Sequence, residues 1–217
     1  MRITRRAFTT ALSLTGLAAL AGLSPLRLMT EAMAASAADV TQPQSLPDMA
    51  LGPVDAKVAI VEYAAPTCPH CARFNKDVFP TIKSEYIDTG KIRYVFRNFP
   101  LNIKDLACEM LARNIAKDDA AKYFAVVDVM FQQQNQLVEK TGDTLKLIGR
   151  QAGLGVQAVE DCLKDQAMQD KIAAVQKYAE DVLKVDGTPA FFINGQVIVG
   201  EASFEEFDKR IKLLLKT

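Results

Sequence analysis

Two cysteines separated by two residues lie between a strand and a helix, and this junction constrains the fold more than any other feature. The run 57–64, KVAIVEYA, is rich in β-branched residues and predicts a strand, which Pro66 ends. After CPHC, residues 68–71, apolar residues recur at helical spacing over 68–85, with a kink predicted at Pro80. The paired cysteines therefore begin a helix that follows directly on a strand.

A cysteine in the first turn of a helix is favoured as an anion. Cys68 lies where free backbone N–H groups and the positive end of the helix dipole stabilise a thiolate. Pro69 suits an early helical position, and His70 can supply a positive charge or a hydrogen bond. A stabilised thiolate makes the Cys68–Cys71 disulfide easier to reduce, and therefore a stronger oxidant. Cys71, one turn into the helix, is predicted to be the resolving thiol.

A zinc site and a purely structural disulfide are the alternatives for these two cysteines. Zinc needs two more Cys or His ligands nearby, but His70 is the chain's only histidine and the other cysteines are single residues in helical stretches. A disulfide that closes so short a loop adds little stability on the chain-entropy argument. We therefore predict a redox-active pair that uses no metal and no organic cofactor.

The residues after this junction return once to a strand and then form a long helical block. Gly90 ends the first helix, and KIRYVFRNF at 91–99 predicts a second strand. A helix between two strands favours parallel pairing. Between 101 and 184 the apolar residues follow helical periods only.

Strands reappear near the carboxyl end. Asn194-Gly195 is a strong hairpin signal, and it precedes the apolar run 196–200. Ser203 with Glu206 three positions later is a capping-box pattern that opens a final amphipathic helix.

The amino terminus has the pattern of an export signal. Arg2, Arg5 and Arg6 precede an uncharged stretch at 7–26, and small residues follow up to residue 37. The segment TRRAF resembles a twin-arginine signal, although paired arginines also occur in ordinary secretory signals. A membrane-anchoring helix is the alternative. We expect cleavage near residue 37, no stable membrane insertion afterwards, and a periplasmic protein.

Charge excludes two classes of partner. The chain has 26 basic and 26 acidic residues, and no run of like charge that would attract nucleic acid or an anionic membrane. An exported protein enters a compartment where disulfides persist, so its four cysteines are interpreted first as redox or structural sulfur.

With an export signal, CPHC after a strand, and GTPAFFING at 187–195, the chain resembles the DsbA branch of the thioredoxin superfamily, alphaproteobacterial members included. The resemblance implies an α/β thioredoxin fold, a mixed central sheet flanked by helices, with an inserted all-helical domain. The implied parts are a signal peptide at 1–37, an extended segment at 38–56, thioredoxin-fold segments at 57–100 and 185–217, and the insert at 101–184.

The resemblance also assigns site residues. Thr188 and Pro189 match a cis-proline loop that faces the cysteines and offers backbone groups to substrate. Glu62 matches a buried acidic residue that moves protons near the resolving cysteine, although an ordinary carboxylate on the strand surface is the alternative. The sequence does not decide whether a basic partner of Glu62 is Arg93 or Arg97.

Cys108 and Cys162 each lie on an apolar helical face, so they could meet within the helical block. The resemblance implies a second, structural disulfide between them, since some relatives carry one there. A buried pair of free thiols is the alternative.

The function implied is that of a periplasmic disulfide donor. It would oxidise exported cysteine-containing proteins through a mixed disulfide at Cys68, be reoxidised by a DsbB-like membrane partner, and act as a monomer. A disulfide isomerase or reductase of the same fold is one alternative, and a noncatalytic peptide-binding or chaperone module is another.

Overall fold

A five-stranded mixed sheet organises the structure, a computed structural model that describes residues 39–216. The strand order is β1-β3-β2-β4-β5, with β2 and β3 parallel and every other pair antiparallel. The strands are β1 Met49–Leu51, β2 Val58–Ala64, β3 Ile92–Asn98, β4 Ala190–Ile193 and β5 Gln196–Val199. The predicted signal peptide at 1–37 lies outside the described residues.

The helices lie on both sides of this sheet and in one block between β3 and β4. Their bounds are α1 Pro69–Asp77, α2 Phe79–Ile82, α3 Ile103–Ala116, α4 Ala120–Gln132, α5 Gln134–Glu139, α6 Thr141–Gln151, α7 Val156–Cys162, α8 Gln166–Asp181 and α9 Phe204–Lys216. None of the helices in residues 39–216 combines the length and apolar character needed to cross a bilayer.

The central strands β2 and β3 are covered on both faces, which explains their continuous apolar sequences. They run in register from Val58 opposite Ile92 to Ala64 opposite Asn98. Because β2 is also paired with β4, its end is fixed on both sides, and the chain leaves it directly into the segment that carries the cysteines.

The first crossover is two helices rather than the single kinked helix predicted from the sequence. Cys68 is the N-cap of α1, with Pro69 in the first turn, and α1 ends at Asp77. Pro80 lies in the first turn of α2, where its missing N–H is not needed, so it begins a new helix instead of bending the first. A π-helical turn, Lys83–Ile87, then leads to β3.

The hairpin β4–β5 is tied to β2 through its turn. Asn194 and Gly195 both have positive φ, 45° and 83°, as a tight hairpin turn requires. The Asn194 side chain also accepts a hydrogen bond from Ala59 N at 2.8 Å and donates one to Lys57 O at 3.1 Å. Its side chain thus fixes the hairpin against the start of β2.

The segment before β2 has more regular structure than the extended segment predicted at 38–56. It contains β1, which pairs antiparallel with β3 at the sheet edge. Arg97, only 3% exposed, lies beneath it and donates to Asp48 at 2.8 and 2.9 Å, to Val40 O at 3.0 Å and to Tyr63 Oη at 2.8 Å. A strand of only three residues is too short to leave a periodic signal in the sequence.

Candidate active site

Cys68 lies at the point where β2 gives way to α1, beside the loop that precedes β4. Its thiol donates to the carbonyl oxygen of Thr188 at 3.3 Å. The Thr188–Pro189 peptide bond is cis, and Pro189 O accepts a hydrogen bond from Gly200 N at 2.8 Å. The sheet therefore brings the cysteines and the Thr188-Pro189 loop together, although they are 120 residues apart in the chain.

The pKa of Cys68 is lowered to about 5 from an ordinary value of 9.0, chiefly by a hydrogen bond from the Cys71 thiol. Burial opposes this shift, while the Thr188 side chain and the backbone N–H groups of Cys71 and His70 add to it. The Thr188 hydroxyl is buried and has no hydrogen-bond partner among residues 39–216, so it is free to donate to a thiolate at Cys68. These donors at the helix start make Cys68 an anion at neutral pH.

Cys71 has the opposite character. It is fully buried, and burial is the main reason that its pKa is raised far above the ordinary range. Its hydrogen bond to Cys68 and the negative charge of Glu62 raise the pKa further. When the disulfide opens, the charge therefore stays on Cys68 and the proton on Cys71.

Glu62 is a buried carboxyl near these sulfurs, and its partner is a tyrosine rather than an arginine. Tyr94 donates to Glu62 Oε2 at 2.6 Å. Burial raises the pKa of Glu62 to about 8; the bond from Tyr94 opposes the shift and the charge of Cys68 adds to it. Side chains alternate along β3, so Tyr94 lies on the face of Glu62, while Arg93 and Arg97 point to the opposite face.

No metal site accompanies this geometry within residues 39–216. No group of three or more His, Cys, Asp or Glu side chains there is arranged to hold an ion. The arrangement of the two sulfurs and Glu62 can instead carry out thiol chemistry coupled to proton transfer.

Comparison with known proteins places this geometry in a family. The family model described as Thioredoxin matches residues 44–213. The crystal structure of Wolbachia pipientis alpha-DsbA1 superimposes with a TM-score of 0.75 at 30% sequence identity, covering 82% of this chain and 95% of that one. The chain belongs to the DsbA-like branch of the thioredoxin family. The predicted resemblance and the thioredoxin fold with a helical insert are thereby confirmed.

Relatives of this DsbA-like chain carry names from disulfide chemistry. A Rickettsia bellii protein provisionally named a protein-disulfide oxidoreductase is 37% identical over 150 residues, which are 68% of this chain and 57% of that protein. Disulfide bond formation protein D of Bacillus subtilis is 27% identical over 179 residues, 81% of this chain and 80% of that protein. The chain spans less than two thirds of the length of the rickettsial relative.

The helical insert of the DsbA-like chain also contributes to the site. Gln134 Nε2 donates to Pro66 O at 2.7 Å and to Cys68 O at 2.9 Å. From α3, the fully buried Asp105 accepts hydrogen bonds from Thr67 N at 2.8 Å and Thr67 Oγ1 at 2.9 Å. Sequence reasoning missed both residues, because each has only an ordinary helical pattern around it.

An exposed group of charged residues surrounds His70. Glu201, in the loop after β5, lies 2.7 Å from His70 Nδ1 and accepts a hydrogen bond from Arg73 Nε at 2.5 Å. These bonds, that of His70 first, hold the pKa of Glu201 below its ordinary value. Arg73 and Glu201 carried no recognisable signal in the sequence, since their proximity depends on the closed sheet.

Cys108 and Cys162 are both thiols in the structure, as are Cys68 and Cys71. Cys108 in α3 is fully buried and Cys162 at the end of α7 is nearly so, and both belong to one apolar cluster. Burial raises the pKa of each. Their pairing as a second disulfide remains a prediction.

Proposed function

We propose that this chain is a thiol:disulfide oxidase that donates the Cys68–Cys71 disulfide to exported proteins with free cysteines. The observation that carries the proposal is the opposite shift of the two cysteine pKa values, with that of Cys68 lowered to about 5 and that of Cys71 raised. A stable Cys68 thiolate stabilises the reduced enzyme, and a stable reduced form means an oxidising disulfide.

The reaction proceeds by two exchanges. A client thiolate attacks Cys68 Sγ, a client–Cys68 disulfide forms, and the Cys68–Cys71 bond breaks with its electron pair on Cys71. Because the pKa of Glu62 is about 8, this carboxyl holds a proton at neutral pH and can pass it to Cys71. A second client thiolate then attacks the client sulfur of the mixed disulfide. The Cys68 thiolate leaves, so the client has lost two electrons and the enzyme has gained them.

The surroundings of Cys68 suit an extended client segment. Thr188 and Pro189 lie beside the sulfur, as the family resemblance implies for the substrate loop. A groove of about 900 Å³ also opens on the other side of α1, where Pro69, Arg73 and Gln134 are among the residues that line it. Amide and backbone groups at these edges offer hydrogen bonds to a peptide without selecting its side chains.

We assign the reaction to the periplasm, with a DsbB-like membrane protein as the electron acceptor. The predicted export signal supports this location. A disulfide donor that is consumed in each turnover needs an oxidant, and a quinone-linked membrane protein is the source expected in that compartment.

The test combines three measurements on the chain without residues 1–37. We expect Cys68 alkylation by iodoacetamide to follow a pH profile with a midpoint near 5, as its pKa predicts. We also expect an equilibrium with glutathione that favours the reduced enzyme, and rapid oxidation of a reduced protein with several cysteines. Cys68→Ser abolishes all three.

Two results would contradict the proposal. Alkylation of Cys68 with an ordinary cysteine midpoint of 8 to 9 would remove its physical basis. An equilibrium that favours the disulfide would assign the chain to the reductases instead.

A further inference from the structure

His70 Nδ1 has two neighbours with opposite requirements. Glu201 Oε1, a hydrogen-bond acceptor, lies 2.7 Å away, and Arg73 Nη2, a donor, also lies 2.7 Å away. All three side chains are about half exposed, so no burial forces the arrangement. The three groups form an ion cluster at the rim of the candidate active site.

A single ring nitrogen satisfies only one of these neighbours at a time. When Nδ1 carries a hydrogen, as in the cation, it donates to Glu201 and its hydrogen opposes those of Arg73. When Nδ1 is bare, as in one neutral tautomer, it accepts from Arg73 and its lone pair faces the carboxylate. The proton count of the imidazole therefore decides which neighbour it binds.

We propose that Glu201 and Arg73 are opposing positioning residues for His70. Glu201 favours the cationic imidazole and Arg73 the neutral one, so together they set the charge next to Cys68. This inference deepens the proposed function, on which its meaning for catalysis rests.

The backbone around Glu201 fixes its position relative to the sulfurs. Gly200, with φ of 81°, donates its N–H to Pro189 O at 2.8 Å, so the loop that carries Glu201 is bonded to the cis-proline loop. Arg73 is fixed by its place on α1, one turn after His70. The Glu201 carboxylate and the Arg73 guanidinium are therefore both attached to elements that adjoin Cys68.

The charge of His70 matters because it lies between the two cysteines. A cationic imidazole there stabilises a thiolate, and a neutral one does so only through a hydrogen bond. The charged or titratable groups that contact or flank His70 within residues 39–216 are Glu201 from the β5–α9 loop and Arg73, Cys68 and Cys71 around its own helix start.

The test uses the fact that His70 is the chain's only histidine. In protein labelled with ¹⁵N-histidine, one imidazole gives all the ring signals, and their shifts report how many ring nitrogens carry a hydrogen. At a fixed pH near neutrality, we expect Glu201→Gln to lower the ratio of cationic to neutral imidazole about two- to fivefold, as for an exposed ion pair. Arg73→Gln raises that ratio by a similar factor.

A matched control is Glu206→Gln, which breaks another exposed Glu–Arg pair, with Arg210 at 2.9 Å on α9. It leaves the ratio unchanged. Shifts of the same sign in Glu201→Gln and Arg73→Gln, or no shift in either, would overturn the proposal.

The glutathione equilibrium provides a second readout. The two variants move it in opposite directions, because each changes the charge near Cys68 in the opposite sense; movement in the same direction contradicts the inference. The ring-nitrogen signals do not depend on any client. A chain that shows the expected imidazole shifts but does not oxidise clients would refute the proposed function and leave the positioning role intact.

Discussion

Hydrogen bonds dominate the pKa shift of one cysteine of the candidate site, and burial dominates that of the other. Cys68 is 5% exposed and Cys71 is 0% exposed, yet their pKa values are shifted in opposite directions. Cys68 receives the Cys71 S–H and the N–H groups at the helix start, while Cys71 has the carboxyl of Glu62 nearby. Hydrogen-bond donors around Cys68 and the burial of Cys71 therefore decide together which sulfur carries the charge.

Glu62 gives a stability prediction at the same scale. Its pKa rises from 4.5 in the unfolded chain to about 8 in the folded one. Between these values only the folded state holds the proton, so the native protein loses stability as pH rises through this window. Glu62→Gln removes that loss. We expect the stability of the reduced variant relative to the reduced native protein to grow by about 4 kcal/mol from pH 4.5 to pH 8.

Urea unfolding of both proteins across this pH range measures the effect. Glu139→Gln is the matched control, because it removes a carboxyl from the exposed surface instead of from the core. A flat difference for Glu62→Gln would mean that the carboxyl ionises as easily when folded as when unfolded.

At the scale of elements, α5 holds the turn from which α1 starts. The two bonds from Gln134 reach the carbonyls of Pro66 and of Cys68, the N-cap of the helix. Gln134→Leu leaves buried carbonyl groups without this donor. We expect it to lower the free energy of unfolding by about 1–2 kcal/mol and to speed amide hydrogen exchange at Thr67 and Cys68.

Gln136→Leu is the matched control, because Gln136 lies two residues further along α5, is exposed, and makes no side-chain bond to this segment. If both variants lose the same free energy of unfolding, the loss comes from a weaker α5 helix and not from the missing bonds between Gln134 and the carbonyls of Pro66 and Cys68.

A comparison of helix starts with loops shows which parts of the candidate site could be predicted from the sequence. Cys68, Pro69 and Cys71 could be predicted because the start of a helix is local information, and the family resemblance supplied Glu62 and the Thr188-Pro189 loop. Glu201 could not be predicted, since it contacts His70 across 131 residues of chain and only through the completed sheet. The break at Pro80 was missed because a proline can either bend a helix or begin one, and the local pattern is the same.

At the scale of the whole molecule, Arg97 fastens the segment before β2 to the sheet. Its guanidinium is buried and bonds Asp48, Val40 O and Tyr63 Oη. Arg97→Met leaves these groups without their cation. We expect a loss of about 3 kcal/mol in the free energy of unfolding, as for other buried ion pairs that lose one partner.

Arg93→Met, on the same strand and partly exposed, is the control and should cost well under 1 kcal/mol. An equally small loss for Arg97→Met would show that the amino-terminal segment is held by its apolar contacts alone.

Cys108 and Cys162 lie on two different helices of the insert, and their predicted disulfide is a second test at this scale. Under oxidising conditions we expect the intact protein to be four hydrogens lighter than the reduced one, and Cys162→Ser to be only two lighter. Closing a loop of this length stabilises a chain by roughly 4 kcal/mol. A mass that shows only the Cys68–Cys71 bond would establish a buried pair of thiols.

The pairing of β2 with β4 has a consequence for biosynthesis. The strand that precedes Cys68 is completed by residues that leave the ribosome more than a hundred positions later. A nascent chain whose β4 has not yet been synthesised lacks the Thr188 loop and two of the five strands of the sheet. Until the Thr188 loop has been made, Cys68 lacks one of the donors that lower its pKa, so part of its reactivity is acquired well after α1 has been synthesised.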